Sequence, residues 1–272
     1  MTWSGSLHST WRLLPEPTAS LQVFLDSDGL DQEAVRSRLP YAAARAGGAG
    51  GGTPSPKRYR DARQVYQTAG FIIERGGVVE VTPLGAVVRR FLDSPTMASA
   101  LLIGPHAVQV LGAAQLRNPG RAASTYALRV KVHPFHAIWR VMAACDWKIS
   151  SEELNRVVMR IEDDGAVVGA ANRIRQAREI LDNDVTADSD AILGPAVIAG
   201  RSVNDRLIPW ISLASFGYSL IGDKDSDGYY RARPEAKALL SRAAANPQTH
   251  HEFEDMMSYL DYLVRILLTL RL

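Results

Sequence analysis

The sequence predicts a mainly α-helical fold with small β-hairpins, arranged as tandem winged-helix (helix-turn-helix) domains. Three observations favour this class: an apolar stripe at helical spacing over 59–69, a Gly-Gly dipeptide at 76–77 between two β-rich runs, and a Thr-Pro helix start at 82–83. A similar order of elements returns in the second half of the chain. The expected division is an N-terminal winged-helix domain at 1–95, a linker at 96–130, a second, elaborated winged-helix domain at 131–247 and an apolar C-terminal helix at 248–272.

Two helices open the first copy of this order. The first is expected at 31–46, and a glycine- and proline-rich loop at 47–56 separates it from the second, at 59–69. Gly70 follows the second helix as a natural C-cap, because glycine adopts left-handed backbone angles without steric cost. The apolar stripe of the second helix consists of Tyr59, Ala62, Val65, Tyr66 and Ala69.

A β-hairpin and a capped helix complete the first copy. The β-rich runs at 71–75 and 78–81 flank the Gly-Gly pair, which suits the positive φ angles of a two-residue hairpin turn. Thr82 is a good N-cap residue and Pro83 suits the first helical position, so we expect a helix that continues to 92. Helix, helix, two-stranded wing and helix is the order of a winged helix-turn-helix.

The second copy is marked less strongly. Ser150 and Glu153 form a capping-box pattern, in which each side chain accepts a hydrogen bond from the other residue's backbone, so a helix should begin there and continue to 161. Pro234 starts a later helix much as the first-copy proline does. The remaining elements expected are helices at 134–144, 167–181, 204–220 and 235–244, a polar turn at 223–228 and a wing strand at 229–233.

Composition limits the classes of function. With 46% hydrophobic residues among 272, the chain can bury a substantial core, and a net charge of +2 means that affinity for an acidic partner depends on local clusters. Cys145 is the single cysteine, so intrachain disulfides and cysteine-based zinc sites are excluded. Its thiol is expected to be buried. The N-terminus lacks a signal-peptide pattern and arginines interrupt the apolar segment 262–272, so we expect a cytoplasmic protein without a membrane span.

Short segments of the chain match a known family in order and spacing over roughly 20–240. The segments are Ala69-Gly70-Phe71-Ile72, Val81-Thr82-Pro83-Leu84-Gly85, Gln115-Leu116-Arg117-Asn118-Pro119, His133-Pro134-Phe135 and Ile149-Ser150-Ser151-Glu152-Glu153-Leu154. In them the chain resembles the DNA-recognition region of type IIS restriction endonucleases of the FokI and AlwI kind. In those enzymes, several consecutive winged-helix subdomains precede a separate nuclease domain in the chain. The resemblance implies sequence-specific recognition of duplex DNA in a restriction or phage-defence setting, and it supplies no nuclease motif.

A recognition helix needs long polar side chains on a face without core contacts, because these reach base edges in the major groove. On the predicted helix at 59–69, its flanks and the wing tip, the DNA-binding candidates are Lys57, Arg58, Arg60, Arg63, Gln64, Gln67, Thr68 and Arg75. The residues before the helix and at the wing tip suit phosphate contacts, and those on the helix suit bases. A solvated polar face is the alternative for this helix, and the adjacent wing favours DNA.

Two further clusters are weaker DNA-binding candidates. A later helix carries Arg173 and Gln176, but the acidic segment that follows it would repel phosphate. The second wing strand carries Arg231 and Arg233 beside the tyrosines at 229–230, where basic and aromatic side chains together can grip a nucleic-acid strand. The alternative for this strand is that one of the two tyrosines belongs to the core.

A nuclease interpretation has one basis in the sequence. Carboxylates with a nearby lysine can hold Mg²⁺ and polarise a phosphate, and the residues of this type are Asp225, Asp227, Glu235 and Lys237. A junction between a wing and a helix explains the same segment better. The histidines interpreted as structural or surface residues at helix starts are His133, His136, His250 and His251. We therefore expect no complete catalytic site, no metal and no cofactor.

The leading hypothesis is a sequence-specific double-stranded DNA-binding protein. It would be the recognition component of a restriction or phage-defence system without its own nuclease domain, and a separate nuclease or methyltransferase subunit would be its partner. A winged-helix transcriptional regulator, dimeric through the helix at 248–272, is the first alternative, because fold alone does not decide between these roles. A Mg²⁺-dependent nuclease and a protein-interaction module stay open as further alternatives.

Overall fold

The computed structural model describes residues 17–39, 56–93, 105–106, 108–119, 130–184, 186–197, 207, 210–211, 214–215 and 220–268. Over these residues the fold is mostly helical, with two small antiparallel sheets. The chain forms two compact units. The N-terminal unit comprises Leu7–Val110, Asn118–Arg121 and Phe253–Leu272, and the central unit is built mainly from Leu111–Arg117 and Ala122–Glu252.

The labelled helices and strands follow one another in chain order. They are α1 (Pro17–Leu25), α2 (Gln32–Arg38), α3 (Pro56–Thr68), β1 (Ile72–Arg75), β2 (Val78–Val81), α4 (Pro83–Asp93), α5 (Pro134–Ala144), β3 (Lys148–Ser150), α6 (Ser151–Arg156), α7 (Val167–Asn183), α8 (Ser189–Leu193), β4 (Tyr229–Arg231), α9 (Pro234–Ala245) and α10 (Met256–Leu268). Across the described ranges, every helix falls short of the length and apolarity needed to cross a lipid bilayer.

An aromatic cluster forms the core between α1 and α3. The ring centroid of Phe24 lies 5.5 Å from that of Tyr59 and 5.2 Å from that of Tyr66, and all three side chains are fully buried. Ala62 and Ala69 are also buried. The apolar stripe predicted for this helix therefore faces the core, as expected of an amphipathic helix.

The hairpin of the N-terminal unit is built as the sequence predicts. β1 pairs antiparallel with β2, and Gly76 and Gly77 have φ angles of +57° and +82°, the left-handed values that such a two-residue turn requires. An extended segment before α2 joins β2 from the other side. There the Gly29 N–H donates to the Val79 carbonyl at 2.8 Å, and the Val79 N–H donates to the Leu30 carbonyl at 2.9 Å.

Thr82 fixes the start of α4, as predicted. Its Oγ1 accepts a hydrogen bond from the Gly85 N–H at 3.0 Å and donates one to the Gly70 carbonyl at 2.6 Å. A Cβ atom at Gly85 would lie 2.1 Å from the Phe71 carbonyl oxygen. Only glycine therefore allows α4 to approach the start of the hairpin this closely.

The C-terminal helix α10 packs within the N-terminal unit, and it begins at Met256, so the start predicted at 248 is wrong. Tyr259, Leu260 and Leu263 are buried, and α10 contacts α4. Gly70, which ends α3, has a φ angle of +74°, and a Cβ atom there would lie 2.6 Å from Cδ1 of Leu263. The side of α10 that a dimer contact would use most readily is thus occupied by its own chain.

The central unit contains a strand that the sequence did not reveal. β3 pairs antiparallel with β4, with Lys148 opposite Arg231. On the other side of β4, Ile221 forms a bridge with Ala232, so β4 is the middle of three extended segments. Apart from α8 and the segment after it, the order helix, short extended segment, helix, helix, hairpin, helix is common to both units.

Several predicted bounds need correction. The capping box of Ser150 and Glu153 is present, but α6 ends at Arg156 and a 3-10 turn follows at Val158–Arg160, so a single helix to 161 is wrong. Residues 153–159 are all buried, which a regular helix with one apolar face does not permit, and the winding changes there. The helix predicted at 31–46 ends at Arg38, because Leu39 is extended. The predicted segments that lie largely outside the described residues are the loop at 47–56, the linker at 96–130 and the helix at 204–220.

Candidate nucleic-acid interface

Helix α7 presents one exposed, mainly polar face in the central unit. Its buried residues, Val167, Ala171, Ile174 and Ala177, recur every three or four positions and therefore lie on one side. The exposed residues outside the buried side include Val168, Asn172, Arg173, Arg175, Gln176, Glu179 and Ile180, and they are called here the outward face of α7. This face has the width and side-chain length that contact with base edges requires.

Two side chains of the outward face contact one another. Nη2 of Arg175 donates to Oδ1 of Asn172 at 2.5 Å, across one helical turn. Arg173 lies at the flank, where its Nη2 would be 2.9 Å from a Cβ atom built on Gly194. Arginine and amide side chains at this spacing are the types that bond guanine and adenine in a major groove.

A buried ion pair holds α7 in place. Nε and Nη2 of Arg178 donate to the two carboxylate oxygens of Glu153 at 2.7 and 2.9 Å, and Nη1 donates to the Cys145 carbonyl at 2.9 Å. Burial opposes the charge of Arg178, but the hydrogen bonds to Glu153 hold its pKa above the ordinary value. Arg178 is thus a structural cation that orients α7, and the neighbouring exposed arginines have a different role.

Cys145, the sulfur next to this ion pair, is a core residue as predicted. It is 1% exposed, and burial raises the pKa of its thiol to about 11. A thiol of this kind is protonated at neutral pH and is a poor nucleophile.

Arg231, on β4, forms ion pairs with acidic side chains. Its guanidinium forms ion pairs with Asp225 and Asp227 in the turn of the same hairpin. The Asp225 carboxylate also accepts hydrogen bonds from the backbone N–H groups of Tyr229 at 2.9 Å and Asp227 at 3.0 Å. The hydrogen bond from Arg231 lowers the pKa of Asp225. These carboxylates therefore shape the turn and neutralise the arginine.

The residues proposed for a nuclease site are not assembled around a metal position. Asp225 and Asp227 face Arg231, while Glu235 and Lys237 are exposed on the first turn of α9. Among the residues with described side chains, no three His, Cys, Asp or Glu groups lie close enough together to hold a metal ion. This arrangement fits the junction between a hairpin and a helix.

The two tyrosines of β4 have different environments. Tyr230 is 4% exposed and belongs to the core, which confirms that one of the pair is structural. Tyr229 is half-buried, and three cations surround its ring: Nζ of Lys148 at 4.8 Å and the guanidinium carbons of Arg178 at 5.2 Å and Arg231 at 5.5 Å from the centroid. The cations that contact the Tyr229 ring thus all belong to the central unit itself. Arg233 is exposed at the start of α9.

Helix α3 offers fewer candidate contacts than its sequence indicates. Arg60 is exposed, but Nη1 of Arg63 donates to Oε1 of Glu74 at 2.7 Å, and the Tyr59 hydroxyl donates to Oε2 of Glu74 at 2.6 Å. Gln67 is only 6% exposed, so its predicted outward position is wrong: the residue lies in the packed layer near the end of the helix. The candidates whose side chains lie outside the description are Lys57, Arg58, Gln64 and Thr68.

The tip of the first hairpin keeps its basic character. The Arg75 side chain is 53% exposed, lies 3.6 Å from the Glu80 carboxylate and donates from Nη2 to Sδ of Met257 at 2.6 Å. A Cβ atom on either turn glycine would meet no described atom within 4 Å, so the backbone at the tip of the hairpin is open. Arg75 is therefore accessible to a phosphate backbone.

The histidines at the start of α5 are structural, as predicted. His133 is fully buried, its Nδ1 lies 2.6 Å from Oδ2 of Asp164, and its backbone N–H donates to Oδ1 of the same carboxylate at 3.1 Å. An ionised carboxylate only accepts hydrogen bonds, so Nδ1 carries the proton. His136 is 2% exposed, and burial lowers its pKa to about 4. Both rings belong to the packing between α5 and its neighbours.

One exposed side chain of α7 was missed by the sequence analysis. Val168 is 58% exposed and adjoins the buried Val167. Adjacent helical residues are separated by about 100° around the axis, so two successive valines cannot both face a single core. That adjacency was the signal available in the sequence.

The fold is similar to that of one solved DNA-bound domain. The chain matches no protein-family model and no curated protein sequence. Among solved structures it is similar to the BpuJ1 endonuclease binding domain, determined in complex with pyrene- and phenanthrene-modified DNA. The TM-score is 0.53 and the sequence identity 10%, and the match covers 92% of this chain and 89% of that chain. At this identity the likeness is one of fold, and at that level it agrees with the family resemblance noted in the sequence.

Proposed function

We propose that this chain is a sequence-specific double-stranded DNA-binding protein that serves as the recognition component of a restriction or phage-defence system. In this proposal each unit is a winged helix. One helix of each unit enters the major groove, α3 in the N-terminal unit and α7 in the central unit, and the hairpin of that unit lies on the sugar-phosphate backbone. Cleavage or methylation of the DNA is supplied by a separate nuclease or methyltransferase component.

The outward face of α7 is the observation that carries the proposal. Asn172 and Gln176 suit adenine, and Arg175 suits guanine, because these side chains can form paired hydrogen bonds with those bases. The opposite side of the helix is buried, and the Arg178–Glu153 ion pair fixes its orientation. A rigid helix with such side chains outward is what discrimination among bases requires.

Acidic residues lie at both ends of α7. Glu162, Asp163 and Asp164 precede its first turn, and Glu179 and Asp182 lie in its second half, with Arg173 and Arg175 between them. Phosphates are therefore attracted to the part of the helix around the two arginines, and charge alone does not select one end. In this proposal the N-terminal half of α7 enters the groove. This orientation agrees with helix-turn-helix proteins, in which the N-terminal residues of the recognition helix contact the bases.

The similarity to the BpuJ1 endonuclease binding domain supports the proposal, because that domain was solved on DNA. The restriction setting rests on that neighbour and on the family resemblance in the sequence. The DNA-binding part rests on the side chains themselves, so it can be tested independently of the setting.

The test is selection of duplexes from a random library, followed by titration at two salt concentrations. We expect a recurring sequence, with affinity at least a hundredfold above random duplex. Arg175→Ala should weaken binding to that sequence by about tenfold or more and relax selection at one position. Arg242→Ala, which removes an exposed arginine from α9, is the matched control and should leave sequence preference unchanged. Absence of any duplex binding at low salt would refute the proposal.

A further inference from the structure

We propose that Val168 contacts the 5-methyl group of a pyrimidine in the major groove, so that this chain distinguishes methylated from unmethylated C5 positions. The inference rests on the proposed function and adds to it a specific chemical group and a specific residue. The shared ligand chemistry is a methyl on C5, which thymine and 5-methylcytosine both carry. The side-chain environment in the first turn of α7 leads to this assignment.

Val168 is unusually exposed for its type. Its exposed fraction is 58%, and the other large hydrophobic residue of comparable exposure among those described is Ile180, at 47%. The next residue, Gly169, has no side chain, and no described heavy atom lies within 4 Å of a Cβ atom built there. The first turn of α7 therefore presents one branched apolar group beside an open gap.

The valine stands in the same row as the side chains proposed to contact bases. Asn172 lies four residues and Arg175 seven residues after it, and positions at this spacing follow one another along a single helix face. Val168 is at the N-terminal end of the row, the end that contacts the bases in helix-turn-helix proteins and that the proposed function places in the groove. A residue there meets a base edge rather than the sugar-phosphate backbone.

The chemistry of the groove leaves one good partner for an apolar side chain. The nitrogen and oxygen groups on the major-groove edges of the bases are hydrogen-bond donors or acceptors, and the methyl on C5 is the one sizeable apolar group there. Arg173 and Arg175 of the same helix carry positive charge that is complementary to the phosphates of the same DNA, and Glu162 and Asp163 precede the helix. A protein partner fits less well, because the exposed large apolar group in this part of the helix is a single valine.

The experiment uses the whole chain and the duplex selected from the random library. In separate duplexes each thymine is replaced by uracil, which removes the methyl group and keeps the base-pairing edge, and each cytosine is replaced by 5-methylcytosine. Affinities are measured for the wild type, Val168→Ala and Ile180→Ala. The last variant removes the other exposed apolar side chain of the same helix and is the matched control.

At one position of the site, uracil should weaken binding of the wild type by about four- to tenfold, or 5-methylcytosine should strengthen it by a similar factor. The first result identifies thymine as the source of the methyl group and the second identifies 5-methylcytosine. Val168→Ala should abolish the difference, and Ile180→Ala should retain it. Thermal unfolding of the variants should match the wild type, because both side chains are exposed.

Three results would overturn the inference. One is tight duplex binding by the wild type that changes less than twofold with every substituted pyrimidine, an outcome that leaves the proposed function intact. Another is methyl discrimination that survives in Val168→Ala. The third is absence of duplex binding altogether, which removes the proposed function and this inference together.

Discussion

Glu153 and Arg178 are joined by a two-pronged ion pair in the interior of the central unit, with 5% and 13% of their side chains exposed. Removing one partner leaves the other charge buried without compensation, at a cost of about 3–5 kcal/mol. We therefore expect Arg178→Ala to lower the free energy of unfolding by roughly 3 kcal/mol, measured by urea denaturation. Arg175→Ala, an exposed neighbour on the same helix, should change it by less than about 0.5 kcal/mol. Similar losses for both variants would contradict the structural role given to Arg178.

The second prediction concerns Gly70. Alanine there meets two penalties, a left-handed backbone angle and a Cβ atom 2.6 Å from Leu263 Cδ1. Gly70→Ala should cost about 2–4 kcal/mol, since backbone strain and overpacking each contribute about 1–3 kcal/mol.

Gly29→Ala provides the control for the backbone contribution alone. Gly29 has a similar φ angle of +77°, and no described atom lies within 4 Å of its added Cβ. Its substitution should cost only about 1 kcal/mol. Equal melting temperatures for the two variants would show that the contact with Leu263 of α10 does not restrict the residue at position 70.

The third prediction is an acid-induced loss of stability that originates at His136. Burial lowers its pKa from 6.5 to about 4 in the folded protein, so between these pH values the unfolded chain binds a proton that the folded chain does not. Stability should therefore fall as the pH drops from about 6.5 to 4, by roughly 3 kcal/mol in total, and this group contributes no further slope below that window.

Denaturant unfolding of wild type and His136→Gln between pH 7 and pH 4 checks this expectation. The variant should lose the part of the pH dependence that comes from His136, about 3 kcal/mol over this window, whatever its stability at pH 7, and the slope that remains comes from groups such as His250, whose pKa burial also lowers. His251→Gln, at an exposed histidine, should keep the wild-type slope. A slope that is the same in all three proteins would place the acid-sensitive group elsewhere.

The fourth prediction concerns the acidic turn of the second hairpin. Asp225 and Asp227 neutralise Arg231, so the double variant Asp225→Asn/Asp227→Asn should release that guanidinium for phosphate contact. Affinity for random duplex at low salt should rise by about three- to tenfold. The slope of log affinity against log salt concentration should become steeper by about one unit, as expected for one more phosphate contact.

A charge-matched double variant, Glu235→Gln/Glu254→Gln, tests whether net charge alone explains the effect. Both of its glutamates are exposed and lie outside the hairpin turn. It should raise the affinity less and leave the salt slope close to that of the wild type. If the two double variants behave alike, Arg231 is not the group released.

The features predicted correctly are those encoded by adjacent residues. The glycine pair at 76–77, Thr82 before Pro83, and the capping box of Ser150 and Glu153 each determine backbone geometry over a few positions, and each is present. The environment of a helix face is different, because it depends on what packs there from distant parts of the chain.

The errors and omissions have that distant origin. Arg63 is paired with Glu74 of the hairpin, and Gln67 is buried near the end of α3, although both look like outward residues in the helical pattern. β3 was missed because its pairing partner β4 lies about 80 residues further along the chain and its own sequence is only three residues long. Tertiary contacts of this kind leave no local periodicity to detect.

The position of α10 has a consequence for synthesis on the ribosome. The N-terminal unit begins near the start of the chain, yet the helix that covers Gly70 follows α4 by about 160 residues. At ordinary rates of translation, that interval is roughly 10 to 30 s. The core next to Gly70 therefore stays partly exposed to solvent while the whole central unit is synthesised. Nascent chains stalled before α10 should be sensitive to proteases and dependent on chaperones.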